Sequence, residues 1–366
     1  MWSAPGRVNL IGEHTDYNDG LVLPIALPQR TVAAATPRSD RLLRVHSMQV
    51  GETVETDLDT VAPGHPVGWA SYVAGVLWAL RQDGHEVHGL DLTVSSSVPL
   101  GAGLSSSAAL ECAVGAAASD LFGLDLLATD TGRARLAQAC IRAENEIAGA
   151  ATGGMDQSAS LLCREGHALL LDCRSGATRQ VPFDLAAHDL ALLVTDSRAA
   201  HALNDGQYES RRRASEEAAT RLGLPSLRDL EPSGLADAEG LLDDEQIRRA
   251  RHVVTEIDRV RSTVEALRAD DFEAVGHLFD ASHASLRDDY EVSCAELDVS
   301  VEAARAAGAL GARMTGGGFG GSSIALVRAD AVATTTSAIT AAFDQRGWAA
   351  PSSFAVTPSR AAARDL

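Results

Sequence analysis

Seven side chains able to hydrogen-bond run without interruption from residue 13 to residue 19: Glu13, His14, Thr15, Asp16, Tyr17, Asn18 and Asp19. They follow directly on GRVNLI, whose Val8 and Leu10 alternate as in a half-buried strand. A solvated turn needs only two or three such groups, so the stretch reads as a metal site, a carboxylate cluster or a surface for a hydroxyl-rich ligand. A calcium loop counted from Asp16 has Gly20 at position 5 and Leu27 at position 12, where an oxygen ligand and a bidentate glutamate are needed, so calcium is excluded. His14 with Glu13 and Asp16 has no second histidine at zinc-ligand spacing. A polyol remains the best match, because carboxylates accept hydrogen bonds from neighbouring hydroxyls.

Three further stretches carry chemistry. In VPLGAGLSSSAAL (98–110), Gly101 and Gly103 allow close backbone approach and three serines lead into an alanine-rich helix. Such a helix start attracts anions through its unpaired N–H groups, although the same pattern also serves as an ordinary serine-capped turn. In ENEIAGAATGGMDQ (144–157), Asp156 follows a Gly-Gly turn and suits a base or orienting group for a hydroxyl nucleophile. Glu144 and Glu146 both lie at the edges of the stripe Leu136, Cys140, Ala143 and Ile147, and periodicity does not choose between them. MTGGGFGGSS (314–323) places five glycines around one phenylalanine, a backbone that passes close to something or a tight turn between helix and strand.

Composition narrows the chemistry. The chain has 366 residues, 45% hydrophobic, enough for a full core and room for two domains. Its net charge of −19 argues against a general nucleic-acid surface, and the basic run SRRRAS (210–215) reads as a solvated helix face. All 31 basic residues are arginine, so neither a P-loop lysine nor a protein-kinase strand lysine exists. Any ATP phosphates must be held by backbone N–H groups, arginine and Mg²⁺. The five cysteines lack C-x-x-C spacing, as expected of reduced thiols in a cytoplasm. With no charged-then-apolar leader and no run of about 18 apolar residues, export and a membrane span are not expected.

The elements that must position these groups are mixed. Runs at 21–27, 31–36 and 41–47 read as strands, 69–82 and 133–149 as helices, and the segment around 98–110 as strand, glycine loop and helix. Strands return at 167–175 and 190–197, an Arg- and Glu-rich helical block fills roughly 205 to 309, and a glycine turn, strand, helix and strand close the chain. This is an α+β pattern in two domains, 1–175 and 176–366.

With these pieces in order, the chain resembles the GHMP small-molecule kinases and, within them, the galactokinases. GRVNLIGEHTDYNDG is similar to the family's sugar motif almost without departure, PLGAGLSSSAAL to the phosphate-binding motif and TGGGFGGSS to the third motif. The resemblance implies an N-terminal domain like the second domain of ribosomal protein S5 and a ferredoxin-like C-terminal domain, with the active site between them. It implies that Asp156 is the catalytic base and that Arg7 stabilises the transition state and depresses the aspartate's pKa. Glu13, His14, Thr15, Asp16, Gly154 and Tyr208 would bind the sugar. Gly101, Ala102, Gly103, Leu104, Ser105, Ser106 and Ser107 would wrap the ATP phosphates, with Ser47 and Trp69 at the nucleoside. Ser107 and Glu144 would hold Mg²⁺, a choice that periodicity leaves open. The implied reaction is ATP-dependent phosphorylation of the anomeric hydroxyl of D-galactose, giving α-D-galactose 1-phosphate, by a cytoplasmic monomer or weak dimer without nucleic-acid or membrane partners.

One departure stands out. Family members carry roughly a helix and a strand before the first motif, whereas Gly6 has five residues before it here. Either the chain starts further upstream or a sheet edge is left open, at a loss of stability. The alternatives to galactose are another sugar, N-acetylgalactosamine or L-arabinose, or a non-catalytic galactose sensor. Sensors lose residues in the serine-alanine loop, and LSSSAAL is intact.

Overall fold

The computed structural model describes residues 1–199 and 206–365. Its N-terminal half holds strands β1 (Trp2–Asn9), β2 (Leu21–Val22), β3 (Pro24–Pro37), β4 (Leu42–Ser47), β5 (Thr53–Asp57) and β6 (Leu90–Ser96). Helices α1 (Ala70–Gln82), α2 (Ser106–Leu121), α3 (Asp130–Arg142) and α4 (Met155–Leu162) accompany them. Then come β7 (His167–Asp172), β8 (Thr178–Pro182) and β9 (Leu190–Asp196). The helical block contains α5 (Gln207–Arg221), the single turn α6 (Leu235–Ala238), α7 (Asp244–Arg268), α8 (Phe272–Asp288) and α9 (Ala295–Ala306). Residue 205, the expected start of that block, lies outside the described residues. The chain closes with β10 (Gly311–Thr315), β11 (Ser322–Arg328), α10 (Val332–Asp344), β12 (Ser352–Val356) and β13 (Ala363–Arg364).

Three sheets result: a six-stranded one in the order β13-β1-β3-β6-β4-β5, a four-stranded antiparallel one, β10-β11-β9-β12, and a small one, β2-β7-β8. Within the large sheet only β4 and β6 run parallel. Helices α2 and α4 lie on its β1 and β3, and α1 and α3 pack with α2 into one core through side chains such as Val73, Val76, Leu77, Val114 and Leu136, all wholly buried. Each large aliphatic so buried contributes about 1.5–3 kcal/mol. A second cluster joins the halves, packing Val8 of β1 and Leu10 and Ile11 just after it with Ile257 and Val260 of α7 and Met314 of β10. The sugar motif therefore emerges where both halves share one core.

The structure revises three expectations. The runs at 21–27 and 31–36 are not separate strands, since β3 continues from 24 to 37. Pro28 falls where the β1–β3 register shifts between Pro5 and Arg7, a bulge at which its missing N–H breaks no ladder bond. The edge expected beside β1 is partly covered, because β13 pairs with Trp2 and Ser3. The boundary placed at 175/176 lies inside the turn of the β7–β8 hairpin, whose strands pair from His167↔Pro182 to Leu171↔Thr178.

Candidate active site

The loop between β6 and α2 enters with Gly101 and Gly103 at φ of 73° and 69°, values that favour glycine. Ala102 and Leu104 bury their side chains in the core, so only their backbone faces the loop. Arg7 grips the exit of this loop: its N–H donates to Leu104 C=O (3.1 Å) and its guanidinium to Gly103 C=O (2.6 Å). Gly6 is required beside it, since a Cβ there would sit 2.6 Å from Leu104 O. The third motif closes from the other side. Ser322 Oγ donates to Ala102 C=O (2.7 Å), and a Cβ on Gly316 would lie 2.9 Å from Gly103 O. Glycines in both motifs thus let two backbones meet around one loop.

The serines of this loop do not cap α2. Ser105 sits at its start with φ of 59°, a left-handed value uncommon for serine, and makes no cap hydrogen bond. Its hydroxyl donates instead to the Asp156 carboxylate. Asp156, in the first turn of α4, is also paired with the Arg7 guanidinium at 2.8 Å. Arg7 is therefore the bridge between the loop and the carboxylate.

Glu144 and Glu146 are separated by a local feature that periodicity did not reveal. Helix α3 widens into a π-helical turn at Ala143–Ala148, held against α1 where Gly75 leaves room for Ala143; a Cβ on Gly75 would approach Ala143 Cβ to 2.9 Å. Such turns concentrate at functional sites. Glu144 turns inward, hydrogen-bonded by Ser107 and by Gln157, while Glu146 is exposed and pairs with Arg142 at 2.9 Å. Burial and the nearby Asp156 charge push the Glu144 carboxyl up to about 7. Behind it Glu111 is wholly buried, accepts from the same Gln157 amide at 3.0 Å, and is raised well above the usual carboxylate range by burial and by Glu144.

A cavity of about 130 Å³ beside Asp156 is lined by Arg7, Glu13, His14, Asp16, Glu144 and Tyr208, together with Thr152, Met155, Gly316 and Gly317. Asp16 is raised to about 6, first by burial and then by the charge of Asp156. Gly153 makes room for it, since a Cβ there would lie 2.3 Å from Asp16 Oδ2. Gly154, at φ 90°, packs on Ile141 rather than lining the cavity, so its place is in the turn that starts α4. The His14 ring sits 5.4 Å from that of Tyr208 and 4.8 Å from that of Tyr290. Burial and the neighbouring His252 push His14 down to about 3, leaving it neutral.

Two sugar-motif residues behave differently from the rest. Glu13 lines the cavity, yet its carboxylate is already held by the buried Arg313 guanidinium, by Thr315 Oγ1 (3.2 Å) and by Gly316 N–H (3.1 Å). Burial raises its pKa despite Arg313. Thr15 does not reach the cavity, which corrects the expectation that it contacts ligand. It is fully buried, its Oγ1 within hydrogen-bond reach of the carbonyls of Gly12 (2.9 Å) and Leu21 (2.7 Å), and its own C=O accepts from Gly20 N–H (2.7 Å). Its position in the motif is set by the turn.

Across the glycine loop lies a second, mostly apolar cavity of about 140 Å³, lined by Ser47, Val50, Trp69, Leu100, Ser106 and Leu110 among others. Trp69 Nε1–H is buried without a partner among the described residues, a donor that a flat heteroaromatic base with ring nitrogens would satisfy. The basic run at 210–215 is not wholly solvated: Arg211 donates to the carbonyls of Tyr290 (2.8 Å) and Glu291 (3.1 Å). Sequence reasoning missed Arg313, Glu111, Gln157, Tyr17 and Tyr290. Tyr17 and Gln157 lie inside stretches already singled out, and the glycine-rich stretch follows Arg313, but Glu111 and Tyr290 carried no local signal.

The chain matches three family models: a galactokinase galactose-binding signature over residues 1–37, the GHMP kinases N-terminal domain over 71–164 and the GHMP kinases C-terminal domain over 263–345. It is 51% identical to a galactokinase of Streptomyces coelicolor, covering 100% of this chain and 94% of that protein. It is 48% identical to a galactokinase of Homo sapiens, covering 90% of this chain and 84% of that protein. A solved Lactococcus lactis galactokinase complexed with galactose superposes with a TM-score of 0.93 at 35% identity, over 99% of this chain and 94% of that one. A Methanococcus jannaschii mevalonate kinase shares the fold at a TM-score of 0.70 and 17% identity, covering 98% of both chains.

Proposed function

The chain belongs to the galactokinases of the GHMP kinase superfamily, an enzyme that transfers phosphate from ATP to galactose, and on that footing we propose how its residues divide the work. Galactose occupies the cavity beside Asp156, and ATP lies with its base near Trp69 and Ser47 and its phosphates on Gly101–Ser107. The observation that carries this reading is the placement of Asp156. It lines the first cavity, accepts from Ser105 next to Ser106, which lines the second, and is ion-paired to Arg7, which in turn grips the glycine loop. Asp156 accepts the proton of the C1 hydroxyl as that oxygen attacks the γ-phosphorus and the bond from it to the β,γ-bridging oxygen breaks, releasing ADP, and Arg7 offsets the negative charge that spreads over the transferring phosphoryl group. Asp16 accepts hydrogen bonds from the sugar hydroxyls, Glu13 and His14 complete their recognition, and the Tyr208 ring forms a wall.

The oxygen groups of Ser107 and Glu144 suit Mg²⁺, which takes one or two carboxylates together with substrate phosphates. Glu144 supports the assignment: it is buried beside a second carboxylate, Asp156, and raised to about 7, an environment that a divalent cation relieves. When bound, Mg²⁺ would neutralise charge on the phosphates. A cytoplasmic location and a monomeric or weakly dimeric state complete the proposal. The free thiols of all five cysteines support the former. A galactose-dependent ADP-release assay on wild type and Asp156→Asn, paired with calorimetry of galactose binding, tests the central assignment. Retained binding with lost turnover is expected, and near-normal turnover would remove Asp156 from the chemistry.

A further inference from the structure

Only four tyrosines occur in the chain, and three of them, Tyr17, Tyr208 and Tyr290, converge on His14. Two of the three form an unbroken run of polar contacts behind the histidine. His14 Nε2 faces Gly317 C=O at 3.2 Å and His14 Nδ1 faces Tyr17 OH at 2.8 Å. Tyr17 OH meets Tyr290 OH at 2.9 Å, and Tyr290 OH meets Ser215 Oγ at 2.7 Å. Ser215 Oγ in turn lies 3.0 Å from Arg211 C=O. Tyr290 and Ser215 are wholly buried, so water does not repair a mismatch there.

Counting protons fixes the direction of this chain. It has a carbonyl, which can only accept, at each end, and five contacts between them. A neutral imidazole, two phenols and one hydroxyl supply only four protons. One contact must therefore go without. Arg211 C=O lies four residues before Ser215 within α5, where the helical ladder already gives it the Ser215 N–H. Giving up the Ser215 hydroxyl bond there strands nothing. At the other end, leaving Nε2 bare would set a lone pair against the Gly317 carbonyl oxygen. The Asn18 side chain, which donates to His14 C=O at 2.8 Å, also hydrogen-bonds Tyr290 and occupies one lone pair of its oxygen whichever way the chain runs, so the two ends decide the direction. Protons thus point from Ser215 to Tyr290, to Tyr17, to His14 Nδ1.

From this we infer that Tyr290, acting through Tyr17, is a positioning residue that holds His14 with its proton on Nε2, so that the sugar site meets a hydrogen-bond donor at that point. The inference rests on His14 being a sugar contact. It adds the polarity of that contact: the carboxylate of Asp16 accepts from hydroxyl hydrogens, whereas His14 donates to a hydroxyl oxygen. Displacement of the Gly317 carbonyl by that oxygen leaves the rest of the chain unchanged, so the ring is preset before the sugar arrives.

The test uses the full chain and the Tyr290→Phe variant, which removes one oxygen and keeps the ring. Nitrogen-15 spectra of the histidine rings, with His14 assigned by its loss in His14→Gln, are expected to show Nε2–H as the single tautomer in wild type. In Tyr290→Phe a mixture is expected, with galactose KM raised about tenfold and ATP KM changed less than twofold. Ser215→Ala, which keeps the Asn18 contact, is expected to give a smaller rise. An Nδ1–H tautomer in wild type would overturn the inference whether or not the variants fold. So would a Tyr290→Phe enzyme with wild-type spectrum and galactose KM, or one that loses affinity for galactose and ATP equally, as a packing defect would. If His14→Gln leaves galactose KM unchanged, the placement of the sugar at His14 fails instead, and the tautomer result still stands on its own.

Discussion

The two cavities on either side of the glycine loop are built on opposite plans. The one toward the sugar motif is walled by ionisable side chains: Asp16 and Glu144 with raised pKa values, Arg7, Glu13, and a neutral His14. The one toward Trp69 is mostly apolar, and Ala102 and Leu104 of the loop between the two turn their side chains into the core, leaving backbone to face the loop there. A sugar is distinguished from its isomers by the direction of each hydroxyl, which demands fixed donors and acceptors; a base and its phosphates are held by a slot, a loop and a helix start. Substitutions should therefore separate the two sites cleanly. Side-chain identity should dominate on the sugar side, and shape and backbone freedom on the other.

The largest effect is expected where the plans meet. Asp156→Asn should lower kcat by about 10²–10⁴ while leaving galactose affinity by calorimetry within a few-fold. A parallel collapse of binding would move Asp156 from the chemistry into the sugar-reading set. Next, Asp16→Ala should raise galactose KM by about 10–100-fold with ATP KM nearly unchanged, because it removes an acceptor from a buried polar site. A change confined to ATP would put the sugar in the wrong cavity. Trp69→Ala is the mirror experiment: steady-state kinetics should show ATP KM raised about tenfold and galactose KM held.

The pH dependence sharpens the same contrast. Asp16 titrates near 6, so its carboxylate is protonated as pH falls through that value and loses an acceptor; galactose KM should rise there. Glu144 titrates near 7 before cation binding, so the Mg²⁺ concentration for half-maximal rate should rise as pH drops below 7. Since the folded protein holds both protons more tightly than the unfolded chain, these two groups add stability as pH falls through 7 and 6, opposite to their effect on function. A galactose KM that is flat from pH 7.5 to 5 would contradict the environment assigned to Asp16. The smallest functional effect belongs to Thr15→Val. Removing the hydroxyl that two buried carbonyls share should destabilise the fold by about 1–2 kcal/mol in denaturant melts and leave both KM values within twofold.

Sequence reading did best where chemistry is local. Arg7, Asp16 and Asp156, which the structure brings to one cavity, were named through the family motifs they resemble, and α1 was legible because Tyr72, Val76 and Leu80 recur at helical spacing. Thr15 was misplaced because a motif records that a position matters without recording which way its side chain turns. Ser105 looked like a helix cap because propensity cannot report a left-handed φ of 59°. The supports of the sugar loop were invisible for a different reason. Gly12 N–H donates to Glu256 across 244 positions, Tyr17 meets Tyr290 across 273 and Arg313 meets Glu13 across 300. No window of local pattern spans such distances, and an isolated buried arginine or tyrosine looks like any other until the fold closes around it.

The π-helical turn at Ala143–Ala148 makes part of this active site depend on chain length as well as on residue identity. A π turn closes through i→i+5 bonds and so accommodates one residue more than an α turn. Deleting a single residue from it would let the helix run on in ordinary α register. Everything downstream would then swing by about 100° and retract by about 1.5 Å relative to Glu144. Glu144 and Asp156 would both survive in the sequence and cease to face the same cavity. A scan for conserved letters would score such a chain as intact, whereas counting residues between the two carboxylates would not. Enzymes with this turn should therefore tolerate substitutions within 145–151 far better than insertions or deletions of one.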